Sequence, residues 1–279
     1  MAVMASLAPH YETLVARNDG YISSETQQKL QRLRLLVAGC GIGSSFAEMA
    51  IRLGMENVIL ADGDTVSDTN LNRQFFSAAD IGQSKVKSLA ARLLAINPNA
   101  RIIEFDQNLD SENTSSLVAK ADLVFDTIDF LDLAAIVGLH DECRLQGKPI
   151  ITAIAVGWGG ACIYFPAGGS CSFRRLFGLP ETGPIDHIPY TVAFAGVMQR
   201  MAAHLDPAVV AVVQKALTVM EDGKPCPASQ VAPGAFAVAA LAGSVVHRLL
   251  AGLPVRPAPE LLIADMPTVL TSPGINLLD

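Results

Sequence analysis

One local pattern limits the possible folds of this chain more than any other. Leu35-Leu36-Val37-Ala38 runs into Gly39-Cys40-Gly41-Ile42-Gly43, and the later run Val58-Ile59-Leu60-Ala61 ends at Asp62. Short apolar runs that stop at glycines are typical of buried strands. Glycines let a backbone approach a phosphate at a helix N-terminus, and an acid about 20 residues further on is suited to accept hydrogen bonds from ribose hydroxyls. The pattern predicts a nucleotide site; the alternative is that the glycines only permit tight packing of strand against helix.

Strand-like and helical segments alternate along the rest of the chain. Strands are predicted at 35–38, 58–61, 102–103, 123–125 and 150–156, and helices at 46–53, 85–96 and 131–146. This alternation predicts a parallel sheet with right-handed crossovers. Beyond it we expect an antiparallel strand at 161–165, helices near 190–204, 207–221 and 234–251, and a late strand at 261–264.

The expected fold is therefore α/β: a Rossmann-like mixed sheet, mainly parallel, with helices on both faces and a helical insertion before the C-terminal segment. We predict an N-terminal helical arm at 1–33 and a nucleotide-binding domain at 34–173. A helical insertion or crossover region at 174–229 follows, and a C-terminal helix and strands at 230–279 complete the domain.

Composition excludes several classes of protein. With 51% apolar and 17% charged residues, the 279-residue chain is not intrinsically disordered. Its 20 basic and 27 acidic residues give a net charge of −7, which argues against a nucleic-acid partner. Five cysteines without a CxxC pair indicate a reducing compartment. No basic region precedes the first apolar stretch, and glycines or prolines interrupt the long uncharged stretches, so we expect a cytoplasmic protein without a membrane partner.

The segment after the second strand distinguishes ATP from NAD. It carries Asn70, Arg73 and Gln74, and Lys85 opens the following helix. A triphosphate needs converging cations because charge builds on its phosphates as pyrophosphate departs, whereas hydride transfer has no such need. Either cation alone would be read as a solvated surface side chain; together they favour ATP.

These segments together resemble the ThiF/MoeB/HesA family of ubiquitin-activating-enzyme-like adenylyltransferases. The resemblance rests on Val37-Ala38-Gly39-Cys40-Gly41-Ile42-Gly43, Leu60-Ala61-Asp62-Gly63-Asp64, Asn70-Leu71-Asn72-Arg73-Gln74, Gly82-Gln83-Ser84-Lys85, Ile96-Asn97-Pro98 and Asp126-Thr127-Ile128-Asp129. They follow the family's order over residues 34–130. Similarity is looser to about residue 177 and returns near Ala232-Pro233-Gly234.

The resemblance implies an ATP-dependent adenylyltransferase in which residues 34–173 form the adenylation domain. A substrate carboxylate attacks the α-phosphate of Mg-ATP, giving an acyl-adenylate and pyrophosphate. By the same resemblance Arg73, Lys85 and Asp129 are catalytic, with Asp129 near the Mg²⁺. The expected nucleotide-binding residues are Gly39, Gly41, Gly43, Asp62, Asp64, Asn70, Gln74 and Asp126. The alternative role for Asp129 is the N-cap of the helix that follows it.

The resemblance also bears on partners. In this family an arginine from an N-terminal segment often enters the partner subunit's site, and Arg17 is the candidate here, which implies a homodimer. A solvated surface arginine is the alternative. The acyl substrate is expected to be a ubiquitin-like carrier C-terminus, a precursor peptide or a small molecule.

The chain departs from the family pattern in its glycine loop, at Phe130, where asparagine is common, and in its zinc site. Its glycine loop is G-x-G-x-G where G-x-G-G-x-G is usual. Cys171-Ser172-Phe173-Arg174 occupies the position of a first CxxC pair and no second pair follows, so no zinc is expected. Cys226, in Lys224-Pro225-Cys226-Pro227, is either a thioester nucleophile or a structural loop cysteine. The missing zinc site and the insertion favour a peptide or small-molecule substrate over a sulfur carrier.

Two other functions remain open at the level of sequence. An NAD-dependent oxidoreductase would use the glycines and Asp62 but leave Asn70, Arg73 and Lys85 without a role. A catalytically weak partner subunit would suit the short glycine loop, whereas Arg73, Lys85 and Asp129 argue against it.

Overall fold

Seven strands form one mixed sheet in the computed structural model, which describes residues 10–185, 188–221 and 229–273. The strands are β1 (Arg34–Ala38), β2 (Asn57–Ala61), β3 (Arg101–Phe105), β4 (Leu123–Asp126), β5 (Ile150–Val156), β6 (Gly159–Phe165) and β7 (Leu262–Ala264). Their order is β3-β2-β1-β4-β5-β6-β7. Neighbouring strands from β3 to β5 pair in parallel, whereas β6 pairs antiparallel with both β5 and β7. The predicted mixed, mainly parallel sheet is confirmed.

The helices of the described ranges connect these strands. They are α1 (His10–Val15), α2 (Ser24–Arg32), α3 (Gly43–Arg52), α4 (Lys85–Ile96), α5 (Thr114–Lys120), α6 (Leu133–Leu145), α7 (Phe173–Leu176), α8 (Tyr190–Ala202), α9 (Pro207–Glu221), α10 (Ala232–Leu250) and α11 (Met266–Thr271). Three of them, α5, α7 and α11, were not predicted from the sequence. Helix α3 begins at Gly43 instead of residue 46, and α6 begins at Leu133 instead of residue 131.

Helices cover both faces of the sheet. On one face α2, α3, α4 and α10 bury Leu30, Phe46, Leu89 and Val246 against the strands. On the other face α5, α6, α7 and α8 bury Leu117, Ile136, Phe173 and Phe194. Alternate residues of a strand point to opposite faces, so β1 supplies Leu35 and Val37 to the first core and Leu36 to the second.

Helix α10 is a core helix by its contacts. In the described chain it is the one helix long and apolar enough to cross a membrane by length and composition, yet half of its apolar window is buried in the protein. A side chain at Gly160 of β6 would lie 2.5 Å from Val238 N, and one at Gly243 would lie 2.6 Å from Met49 of α3. The backbone of β6 therefore lies close to that of α10, and α10 lies close to α3, because glycine at these positions carries no side chain.

Candidate functional site

Three strands end at the same level beside one crevice. Ala38 of β1 is in register with Ala61 of β2 and with Asp126 of β4. Strand order reverses between β1 and β4, since β2 and β3 lie on one side of β1 and the later strands on the other. Open α/β sheets bind ligands at such a switch point, outside the carboxyl ends of the strands. The predicted glycine loop, Asp62 and the turn at Asp126–Asp129 all follow these three strand ends.

Close contacts surround the glycines of the glycine loop. Gly39 has a φ of +87°, and a side chain there would lie 2.5 Å from the carbonyl oxygen of Thr127. A side chain at Gly43 would lie 2.6 Å from Thr127 Oγ1, and one at Gly41 would lie 3.1 Å from Gln74 Nε2. The hydroxyl of Thr127 also donates to Gly39 O at 2.7 Å. The loop is therefore packed directly against the turn after β4.

The N-terminus of α3 is available to an anion. Among the described residues no side chain caps it. The hydroxyls of Ser44 and Ser45 instead donate back to the carbonyls of Gly41 and Ile42, at 2.6 and 2.8 Å. Uncapped N–H groups and the helix dipole attract negative charge at this end of a helix.

Asp62 fixes the loop from the next strand. Its carboxylate accepts the N–H of Cys40 at 2.6 Å and the N–H of Asp64 at 2.8 Å. Burial raises the pKa of Asp62, while Lys85 acts in the opposite direction. The same burial, with Asp62 nearby, raises the pKa of the Cys40 thiol well above its usual value, so this cysteine stays a neutral packed residue.

Lys85 is a buried cation at the start of α4. Its ammonium pairs with Asp64 Oδ2 at 2.7 Å, and its N–H donates to Asp64 O at 3.0 Å. Ser84 caps the helix by accepting the N–H of Lys87. The side chain of Lys85 is buried, while its carboxylate partner is exposed to solvent.

Arg73 and Gln74 lie on the segment that covers α3. Phe75 donates its N–H to Ser44 Oγ at 2.9 Å, which holds this segment against the start of the helix. Burial lowers the pKa of Arg73, and Asp129 lies near enough to oppose that shift. Gln74 is 8% exposed, and its Oε1 has no partner among the described residues. Its Nε2 faces Gly41.

Asn70 and Gln230 organise the same segment. Asn70 Oδ1 accepts the N–H of Ser67 at 3.0 Å, so this side chain is occupied in a local turn. Gln230 Oε1 accepts from Arg73 Nε, and its carbonyl accepts from Asn72 at 2.9 Å. Gln230 was not identified from the sequence, because it lies 157 residues from Arg73 and carries no local signal.

The two acids after β4 differ in environment. Asp129 is exposed, with one oxygen accepting the N–H of Leu131 at 3.0 Å. It is not the N-cap of α6, because Asp132 occupies that position and accepts the N–H of Ala135. This corrects the alternative role expected for Asp129.

Asp126 is 1% exposed and belongs to a buried network. Thr152 donates to its Oδ2 at 2.9 Å, His140 Nε2 lies 3.3 Å from the same oxygen, and the N–H of Ile128 donates to Oδ1 at 3.1 Å. These partners leave its carboxylate turned into the protein, where it supports the turn that carries Asp129. His140 and Thr152 were not identified from the sequence.

Two predicted residues lie apart from this group and a third lies outside the described ranges. Arg17 is exposed, and its neighbour Asn18 donates to Leu53 O at 3.2 Å, before the start of β2. That contact is at the N-terminal edge of the parallel strands, opposite the glycine loop. Cys171 is half-buried and not disulfide-bonded, and no cluster of three metal-ligating side chains occurs in the ranges described. Cys226 falls outside those ranges.

Comparison with known proteins agrees with this fold. The model of the ThiF family matches residues 15–273. Adenylyltransferase and sulfurtransferase MOCS3-1 of Zea mays is 34% identical over 158 residues, which are 56% of this chain and 33% of that protein. Sulfur carrier protein ThiS adenylyltransferase of Escherichia coli is 35% identical over 141 residues, 50% of this chain and 55% of that protein. The match thus spans from a third to just over half of the length of these two relatives.

A solved structure extends the comparison over more of the chain. The crystal structure of Escherichia coli MccB with ATP superimposes with a TM-score of 0.62 at 20% identity, covering 92% of this chain and 69% of that one. At this identity the likeness concerns the fold. The sequence relatives are adenylyltransferases, and the family model covers most of the described residues. This chain therefore belongs to the ThiF family.

Proposed function

We propose that this protein is an ATP-dependent adenylyltransferase that joins a substrate carboxylate to AMP and releases pyrophosphate. One observation carries the proposal: an uncapped helix N-terminus and a glycine loop lie at one switch point of the sheet, with Lys85 near Asp62 and Arg73 near Asp129. The adenylyltransferase relatives support the class of reaction.

The loop and Asp62 bind the nucleoside end of ATP in this proposal. Asp62 already accepts two backbone N–H groups, so its carboxylate is oriented before ATP arrives. Its remaining acceptor capacity suits a ribose hydroxyl. The backbone N–H groups at Gly41–Gly43 and the dipole of α3 then receive the α-phosphate, where the new bond forms.

Arg73, Gln74 and Lys85 act on the phosphates. Attack by a carboxylate brings two anions together, and negative charge moves onto the departing pyrophosphate. Arg73 donates through Nε to Gln230 Oε1 and through Nη1 to Thr69 O and Asn72 Oδ1, which among the described residues leaves Nη2 for a phosphate. Gln74 Nε2 faces the loop as a neutral donor. When ATP binds, the ammonium of Lys85 leaves its ion pair with Asp64 and contacts phosphate oxygens instead. Asn70 contributes by holding the turn that presents Arg73.

The donor set at Asp129 fits Mg²⁺. Asp129 is exposed and has a second oxygen not used by its turn, and Mg²⁺ binds proteins through one or two carboxylates together with substrate phosphates. Bound there, Mg²⁺ would neutralise phosphate charge and orient the α-phosphate. Asp126 keeps the turn in place from inside the protein.

Arg17 is proposed to act in a partner's site. Within one chain it lies at the edge of the sheet opposite the glycine loop, so it contributes to the reaction only in a homodimer that places this edge of one chain beside the glycine loop of the other. The acyl substrate is a carrier C-terminus, a precursor peptide or a small carboxylic acid. Cys226 is the candidate for a later thioester step.

The proposal is tested by ATP–pyrophosphate exchange with a panel of carboxylates, together with calorimetric binding of ATP and NAD. We expect ATP to bind, NAD not to bind, and exchange to depend on one class of carboxylate. Asp129→Asn should abolish exchange without lowering the melting temperature. Asp132→Asn, which changes a neighbouring exposed acid that caps α6, serves as the matched control.

The outcomes separate the three functions. NAD binding with no ATP binding would replace the proposal with an oxidoreductase. ATP binding without exchange for any carboxylate would indicate a catalytically weak subunit. Mixing Arg17→Ala and Asp129→Asn subunits should restore part of the exchange rate if Arg17 acts in trans, and no restoration would remove that role.

A further inference from the structure

A basic groove lies on the side of the molecule where β6 and β7 end the sheet. Two cavities of about 770 and 490 Å³ adjoin there and share Leu176, Val197, Arg200 and Pro259. Together they form one elongated depression along α8, bounded by the second half of α10 and by the segment before β7. We call it the basic groove. None of the residues assigned to the nucleotide site lines it.

The floor of the groove is apolar and its charged lining is cationic. Ile163, Met201, Leu241 and Val245 contribute to the floor. The titratable lining residues of the two cavities are Arg175, Arg200, His204, Arg248, Arg256 and Cys171. No described acid lines either cavity, although the protein as a whole carries a net charge of −7. A local excess of arginine in an acidic protein creates a field that attracts anions.

The arginines are positioned for a ligand. Arg200 donates its Nε to Gly196 O at 3.1 Å, and Arg248 donates its Nε to Pro254 O at 2.9 Å. Each contact anchors the side chain and, among the described residues, leaves the two terminal nitrogens without a hydrogen bond, so that they can bind a carboxylate in bidentate fashion. Among the described residues, Glu260 is the acid that pairs with a groove arginine, at 3.5 Å from Arg256.

We propose that the basic groove binds an acidic, amphipathic peptide segment of a partner protein. Carboxylate side chains of that segment pair with Arg200 and Arg248, and its apolar side chains contact the floor. A compact ligand would fit one cavity, since small-molecule pockets measure about 300–1,000 Å³. The two joined cavities, with arginines at both, suit an extended chain. The proposal does not depend on the reaction at the nucleotide site.

The test uses the full chain and a fluorescein-labelled synthetic peptide of about twelve residues, with alternating Leu and Glu, at low salt. The comparison peptides replace Glu by Lys, or Leu by Ser. We expect the Leu/Glu peptide to bind in fluorescence anisotropy, with a Kd raised at least about tenfold in the Arg200→Gln/Arg248→Gln protein. The matched control is Arg32→Gln/Arg101→Gln, two exposed arginines outside the groove.

Each result has a defined meaning. Loss of peptide binding in the groove variant alone, with an unchanged melting temperature and unchanged ATP binding, supports the proposal. Equal binding of the Lys peptide, or equal weakening by the control variant, overturns it. Groove-dependent binding to phosphatidylserine vesicles without binding of the Leu/Glu peptide overturns it in favour of a membrane surface.

Discussion

Gly39→Ala tests the close approach on which the candidate site depends. Gly39 has a φ of +87°, and its added Cβ would lie 2.5, 2.7 and 2.9 Å from Thr127 O, Thr127 C and Ile128 N. All three atoms are backbone, so no flexible side chain can move aside. The strain therefore falls on the turn after β4 that carries Asp129.

The loss of folding stability expected for Gly39→Ala has two parts. Alanine in the left-handed region costs about 1–2 kcal/mol. Displacing packed backbone adds about 1–3 kcal/mol, as overpacking does elsewhere. For a loss of about 3 kcal/mol, a chain of this size should melt about 6–12 °C lower.

Substitutions at two other glycines distinguish the conformational cost from the overpacking cost. Gly20 has the same φ of +87°, but a Cβ there meets nothing within 4 Å, so Gly20→Ala reports the conformational cost alone. Gly138 lies in α6 with open space around it, and Gly138→Ala should gain about 1 kcal/mol from helix propensity. Melting is followed by calorimetry, and pyrophosphate exchange is measured on the same samples.

The order of the melting temperatures of the three variants shows whether the overpacking cost is present. We expect Gly138→Ala above the parent, Gly20→Ala slightly below it, and Gly39→Ala lowest, with exchange lost only in the last. If Gly39→Ala and Gly20→Ala have the same melting temperature, the close contact between Gly39 and the backbone of Thr127 does not exist in solution. If it melts low but exchanges normally, the geometry of the turn is not required for activity.

Three further changes probe the site. Lys85→Met should lower the exchange rate on the order of 10²-fold through loss of a phosphate donor, whereas Lys87→Met, an exposed neighbour on α4, should leave it unchanged. Burial raises the pKa of Asp62, so on acidification ATP affinity measured by calorimetry should begin to fall at a higher pH than an ordinary aspartate, with a pKa of about 3.9, would give. Asp62→Asn should flatten that dependence, and a flat profile in the parent would contradict the ribose role. Thr152→Val should destabilise the fold by about 1–3 kcal/mol in urea unfolding because buried Asp126 loses a donor, and an unchanged midpoint would show that Asp126 is otherwise satisfied.

Elements with strong local signals were predictable. Helix α4 begins and ends as predicted, because Ser84 caps it and Asn97-Pro98 stops it. Strand β5 also matches residue for residue, as a continuous β-branched and apolar run between turn residues. The short helix α5 was missed because its serines and threonine have weak helix propensity; burial of Leu117 and Val118 stabilises it.

The site was predictable where its residues follow strand ends. The glycine loop and Asp62 form a local pattern, and the structure brings them together. The position of Gln230 against Arg73 depends on how the chain returns after the helical insertion, which no local periodicity encodes. The environment of Asp126 likewise depends on His140 and Thr152 from α6 and β5, so its burial could not be read from the turn alone.

The contact between α10 and α3 has a consequence for synthesis of the chain. Ser45, two residues after the glycine loop, donates to Ala235 O on a helix made 190 residues later. At ribosomal speeds of about 5–20 residues per second, about 10–40 s separate these two events. Throughout that interval the nascent helix exposes the apolar surface that α10 later covers, and with it a target for chaperones and for neighbouring nascent chains.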